Sequence, residues 1–192
     1  SAGNTGALLI MSRLLLNTIE GISKPALAAL WPSSKDMSIV LDLGANVDCN
    51  EKNLTDFASM GSALYKSLFE IESPKIALLN IGSEEHKGND VLKKTFSILK
   101  NKNQKNYEFY GYIEPNHIMD GNVDVIITDG FTGNIALKTA EGTANFITKN
   151  LKKSLNKLSI LLSYKSLKRF KNKLDPRKYN GAIFLGLESP VV

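Results

Sequence analysis

The chain has 192 residues, 43% of them hydrophobic, enough for one sizeable core. No run approaches the roughly 20 apolar residues that span a bilayer and no basic-then-apolar signal segment opens the chain; the single cysteine, Cys49, allows no internal disulfide, which agrees with a reducing, intracellular compartment. The net charge of +5 is unevenly spread: residues 149–178 hold eleven Lys or Arg against one acid, Asp175, so that window carries +10 and the remainder, +5 less +10, carries −5.

The chain opens on Ser1-Ala-Gly-Asn-Thr-Gly6 followed by an apolar run to Leu16, a glycine-rich entry into a helix. Such an entry suits an anion, because the first amides of a helix lack internal partners, but it serves equally as an ordinary cap. Pro25 and Pro32 frame a short strand over 26–31, and Ser38–Leu43 is a clearer strand ending in Gly44-Ala-Asn46. A helix follows from about Glu51, with Leu54, Phe57, Ala58, Gly61, Leu64 and Leu68 on one face. The unit repeats as a strand over Lys75–Ile81, a turn over Gly82–Gly88 and a helix from Asn89 to about Lys100.

A polar connector leads to a strand over Tyr107–Ile113 and a turn near Asp120-Gly121. Val123 and Val125–Ile127 then form a short β-branched run, the type that is buried on both faces of a parallel sheet, and it passes through Asp129, Gly130 and Gly133 into a helix expected to begin at Asn134. From Gly142 the pattern is helical, with Ile147, Leu151, Leu155, Leu158 and Leu162 on one face between lysines. The phase slips near residues 163–166 before Leu167, Phe170 and Leu174 resume it, which predicts two helices or a bend ending at Asp175-Pro176. Gly181–Leu187 reads as a last strand.

Strands alternating with helices of this length predict right-handed crossovers and an α/β, three-layer, Rossmann-like fold, its mainly parallel sheet flanked by helices, as one domain over 1–192 with a basic amphipathic helical arm over 143–178. Ligands then belong at the carboxyl ends of the strands, where the turns at Gly44, Gly82 and Gly130 all fall. The basic arm calls for an anionic lipid surface, an acidic protein or a subunit interface, unless it is a core-packing helix with a solvated face. Nucleic acid is disfavoured, because no aromatic platform accompanies the charge. Cys49 reads as a buried or incidental thiol, and His86 and His117 lie too far apart to suggest a metal site.

Ser1–Ala7, Leu41-Asp-Leu-Gly-Ala-Asn46, Leu78-Leu-Asn-Ile-Gly82, Glu84-Glu85 with Lys87-Gly88, and Asp129-Gly-Phe-Thr-Gly-Asn134 with Leu137-Lys138 and Glu141-Gly142 occur in an order that resembles one family. That family is the bacterial phosphate acyltransferase of phospholipid synthesis, which converts acyl-acyl carrier protein and inorganic phosphate into acyl-phosphate. The family carries a strand-rich segment ahead of the S-A-G-N-T-G motif and a K-x-H-G motif after the final G-A-x-x-L-G-L run. The resemblance therefore covers its middle and later part.

The resemblance implies a transferase with no metal and no cofactor, in which phosphate itself attacks the thioester. The turn formed by Ser1, Gly3, Asn4, Thr5 and Gly6 would hold phosphate with Lys87 as its counter-charge, and the Asn134 amide would donate to the thioester oxygen. Asn46, Asn80, Glu84, Glu85, Asp129, Gly130 and Gly133 would shape the same mouth. Read from the residues alone, Lys87 is a solvated loop lysine and Asn134 a helix cap. The implied partners are acyl-acyl carrier protein, phosphate, a second copy of the chain and an anionic membrane, with the protein cytoplasmic and peripheral to the inner face of the cell membrane. Two alternatives are a phosphotransacetylase-like enzyme using a coenzyme A thioester and a noncatalytic membrane-binding or dimerising fragment.

Overall fold

The computed structural model describes residues 11–12, 14–101, 106–155, 163–174 and 181–189, with the backbone alone for 170–174. The expectations at Ser1, Gly3, Asn4, Thr5 and Gly6, at Leu158 and Leu162, and at the Asp175-Pro176 stop lie outside these residues. The elements are β1 (Ala26–Pro32), β2 (Met37–Leu41), α1 (Glu51–Phe69), β3 (Lys75–Leu79), α2 (Asp90–Asn101), β4 (Glu108–Ile113), β5 (Val125–Ile127), α3 (Gly130–Ser154), α4 (Tyr164–Leu174) and β6 (Ala182–Leu185), with a 3-10 turn over Pro115–Asp120.

The strands form one sheet in the order β4-β3-β5-β2-β1-β6. β2, β5, β3 and β4 are mutually parallel, whereas β1 runs antiparallel to both β2 and β6. Alternation along each central strand supplies both faces of the sheet. Ile39, Leu41, Ile76, Leu78, Val125 and Ile127 face Leu54, Phe57 and Ala58 of α1 and Phe96 and Leu99 of α2. Val40, Ala77, Leu79 and Ile126 face the other way, towards Ala136, Leu137 and Ala140 of α3. The result is three layers, as the β-branched run of β5 implied.

α1 starts at a reciprocal cap: the Asn50 side chain accepts from the Asn53 amide while the Asn53 side chain accepts from the Asn50 amide. The helix lies directly on β2 and β5. A methyl group added at Gly61 would come within 2.6 Å of Val125 Cγ1 and 2.8 Å of Leu41 Cδ1. In its last turns Tyr65 and Phe69, with ring centroids 4.5 Å apart, cover the sheet in place of Leu68, which is 51% exposed.

The helix after β5 starts earlier than its sequence suggested. Asp129 has extended backbone, and its carboxylate accepts from the Thr132 amide at 2.8 Å and the Thr132 hydroxyl at 2.8 Å, so Asp129 is the cap and Asn134 lies in the second turn. α3 continues unbroken through Gly142 to Ser154, so the helical pattern read from residue 142 onward is its second half. α3 ends at Leu155, whose backbone is extended, and Tyr164–Leu174 form a separate helix, in keeping with the two helices that the slip in phase predicted. Among the described residues no helix is long and apolar enough to cross a membrane.

The contact of α1 with the sheet makes a direct prediction. Gly61→Ala should overpack the core and lower stability by about 1–3 kcal/mol, read as a reduced urea midpoint at unchanged slope. An unaltered midpoint would show that α1 does not rest on β2 and β5 at this residue.

Candidate active site

Neighbouring strands β2 and β5 send their following helices to opposite faces of the sheet: α1 to one and α3 to the other. Their carboxyl ends therefore part into the crevice where ligands of such sheets are held. The centre of this crevice is Asp42, the residue after β2, which is fully buried. One carboxylate oxygen accepts from the amides of Leu27 (3.1 Å), Gly44 (3.2 Å) and Ala45 (2.9 Å). The other accepts from the Asn46 amide (2.8 Å) and the Asn46 side chain (2.7 Å). Burial pushes this carboxyl above its ordinary value of 3.8, against the opposing pull of the N–H groups around it.

Asn46 transmits this arrangement to the next strand. Its side chain also donates to the Pro25 carbonyl at 2.7 Å, and its own carbonyl accepts from the Gly130 amide at 2.7 Å. The first turn of α3 is thus pressed onto the β2 loop. A Cβ at Gly130 would lie 2.7 Å from the Asn46 oxygen, and one at Gly133 would collide with the Asp42 carbonyl oxygen. Only glycine permits this approach. The close packing brings Asn134, one residue on, beside the Gly44 turn: its Cβ and Cγ lie 3.6 Å from where a Gly44 side chain would begin. Asn134 is exposed, and Asp129 already caps the helix, which removes capping as the account of this carboxamide.

A second cluster stands at the end of β3, beside β5. Buried Asn80 donates its side-chain amide to the Lys87 carbonyl (3.2 Å) and accepts from the Ile81 amide (2.9 Å), drawing the 81–88 loop back onto the strand end. The Lys87 ammonium packs over Gly82 and pairs with Glu84 at 2.9 Å. This bond holds the Glu84 carboxyl below its usual range. Lys87 is neither buried nor free, and its ammonium is available to an anion that displaces Glu84. Glu85 does not join the mouth; it reaches Lys100, in the last turn of α2, at 2.6 Å.

The structure therefore gathers Asn46, Asp129, Gly130, Gly133 and Asn134 around one turn and Asn80, Glu84 and Lys87 around the next, with Glu85 turned away. Sequence reasoning missed Asp42. Its signal was a carboxylate placed directly after a buried apolar strand, where an unpaired charge could not be tolerated. Beside the turns, a cleft of about 500 Å³ opens between the first turns of α1, α2 and α3, with Cys49 and Asp129 in its wall. Burial, then the nearby Asp42 charge, pushes the Cys49 thiol up to about 11, which disfavours it as a nucleophile. His117 is paired with Asp120 at 2.7 Å, and among the described residues no three His, Cys, Asp or Glu side chains are grouped to hold a metal ion.

The architecture is that of the phosphotransacetylase fold. It matches a phosphotransacetylase from Streptococcus pyogenes with a TM-score of 0.60 at 17% identity, over 99% of this chain and 54% of that one. The EutD phosphotransacetylase from Staphylococcus aureus matches with a TM-score of 0.56 at 16% identity, over 76% and 49%. A family model described as "Fatty acid synthesis protein" matches residues 1–192, and the chain belongs to that family. Among its relatives are proteins named phosphate acyltransferase from Pelagibacter ubique, 61% identical over all of this chain, and from Sinorhizobium fredii, 45% identical over the same span. The chain covers 59% and 57% of the length of these two curated relatives.

The buried carboxylate generates the prediction of this section. Asp42→Asn would turn a donor towards a ring of N–H groups, with an expected loss of about 1–3 kcal/mol. Chemical denaturation measures it; wild-type stability in the variant would remove Asp42 as the organiser of the crevice.

Proposed function

We propose that this chain contributes the acyl-transfer site of a phosphate acyltransferase, moving a fatty acyl group from acyl-acyl carrier protein to inorganic phosphate. The observation that carries the reading is the exposed Asn134 carboxamide seated against the Gly44 turn at the switch crevice, with capping duty already assigned to Asp129. The names of the relatives support the same chemistry.

In this reading Lys87 exchanges its Glu84 partner for phosphate and holds it as a point charge. A phosphate oxygen attacks the thioester carbonyl carbon, and the carbonyl electron pair moves onto oxygen. Asn134 donates a hydrogen bond to that developing oxyanion, a contact worth about 3 kcal/mol in the transition state. The tetrahedral intermediate collapses with cleavage of the carbon–sulfur bond. The thiolate takes up the proton that phosphate loses, giving acyl-phosphate and carrier thiol. Asn46, Asn80, Gly130 and Gly133 act by shaping the two turns, and Asp129 by fixing the start of α3. Ser1, Gly3, Asn4, Thr5 and Gly6 complete the phosphate site in the same proposal.

Thiol release from a long-chain acyl-carrier protein in the presence of phosphate tests the reaction, with the corresponding coenzyme A thioester as competitor. Lys87→Ala and Asn134→Ala are each expected to lower turnover by about a hundredfold or more with the fold retained. Near-normal turnover in either variant would remove that residue from the mechanism, and preference for coenzyme A would reassign the donor.

The basic arm over 143–178 is the proposed attachment to an anionic membrane and to a second copy of the chain. It is supported by Phe146, 68% exposed, and by Ile147, exposed between lysines along α3, and by exposed Tyr164, Lys165, Lys168 and Arg169 on α4. Apolar side chains beside basic ones suit the headgroup boundary. Flotation should recover the protein with anionic vesicles and lose it as salt rises; absence from both anionic and neutral vesicles would sink the membrane reading.

A further inference from the structure

We propose that the cleft between the first turns of α1, α2 and α3 is the seat of the fatty acyl chain, so that its depth sets chain-length preference. The proposal deepens the acyl-transfer reading above and rests on it for the identity of the chain. The cleft's size, about 500 Å³, falls within the range of about 300–1,000 Å³ typical of small-ligand sites. Its walls include Val47, Leu54, Val91, Leu92 and Phe131. Phe131 is 59% and Val47 64% exposed, and Ile135, one turn along α3 from Phe131, is also exposed. Large apolar side chains left open at the lip of a cleft signal an apolar occupant.

The polar groups there argue against an anionic occupant. Three helices begin at the cleft, and each already gives a first-turn amide to its own cap: Asn50 accepts from Asn53, Asn89 from Leu92 and Asp129 from Thr132. The carboxylates of Asp48 and Asp129 also line it, and both oppose a phosphate. A neutral alkyl chain meets neither obstacle, whereas the phosphates of a coenzyme A nucleotide would meet both. The cleft is also continuous with the reacting turn, because Asp129 and Thr132 belong to the same first turn of α3 that leads to Asn134. A chain lying in the cleft would therefore leave its carbonyl at the crevice mouth.

Cys49 supplies a readout that needs no turnover, since it lines the cleft and is the sole cysteine of the chain. The probes are nonreactive thioethers of pantetheine bearing a hexadecyl or an ethyl group. Near pH 9, where the thiol is slow but reactive, the hexadecyl thioether should slow maleimide alkylation of Cys49 by about fivefold or more. The ethyl thioether should leave the rate unchanged. Leu92→Trp, which fills the cleft, should abolish the protection, and the smaller change Val91→Thr should raise the hexadecyl concentration required; circular dichroism confirms that each variant is folded. Equal protection by the two probes, or none by the hexadecyl probe, overturns the assignment. Thiol release from acyl-carrier protein without chain-dependent protection overturns the cleft alone. Chain-dependent protection without any thiol release upholds a chain-binding cleft and overturns the acyl-transfer reading instead.

Discussion

A single buried carboxylate organises this molecule. Asp42 is placed in the sheet's interior, where an unpaired charge would be intolerable, and the protein answers with five N–H groups drawn from two segments. Those donors fix the conformation of the Gly44–Asn46 turn and tie it to β1 through Leu27. Asn46 then hands the constraint on, to Pro25 with its side chain and to Gly130 with its carbonyl. The two glycines of α3 complete the chain of cause, since only a backbone without side chains can close onto Asp42 and Asn46. The position of Asn134 is the last consequence of a charge that never meets solvent.

The sheet makes this local arrangement useful. β5 lies between β2 and β3, whose helices pack on the face opposite α3. The turns after all three strands thus open onto one edge without a helix crossing between them. The lysine loop held by Asn80 and the helix start that carries Asn134 thus follow neighbouring strands, although the two belong to different crossovers. Each loop is anchored by a buried polar side chain, Asn80 for the lysine loop and Asp42 for the Gly44 turn, which is how loops obtain a rigidity that they lack by themselves.

Much of this was legible in the chain. The apolar runs at Ile39–Leu41, Ile76–Leu79 and Val125–Ile127 identified central strands, because only a strand covered on both faces needs no polar alternation. The glycine turns that follow them marked the edge that carries the candidate site. The start of α3 was not legible, because Asn134 and Asp129 are both good caps, and only backbone geometry chooses between them. The role of Asp42 was hidden for a different reason: its partners are amides, which every sequence contains. The departure of Glu85 from the mouth depends on the distance to Lys100, fifteen residues away and set by the length of α2. The cleft needed three helix starts from three crossovers to coincide, a relation that periodicity does not contain.

The placement of β1 carries a consequence for how the chain is made. β1 pairs with β2 within a few residues, yet its other edge is occupied by β6, whose Leu185 is the register partner of Ala26. During synthesis that edge stays open until residues 182–185 emerge, long after the remainder of the sheet is available. An unpaired strand edge is a template for association with other chains, and closure across so large a separation is slow. Until β6 emerges, the flank of the strand that ties Leu27 to Asp42 stays uncovered, and β6 acts as the clasp that ends this exposure.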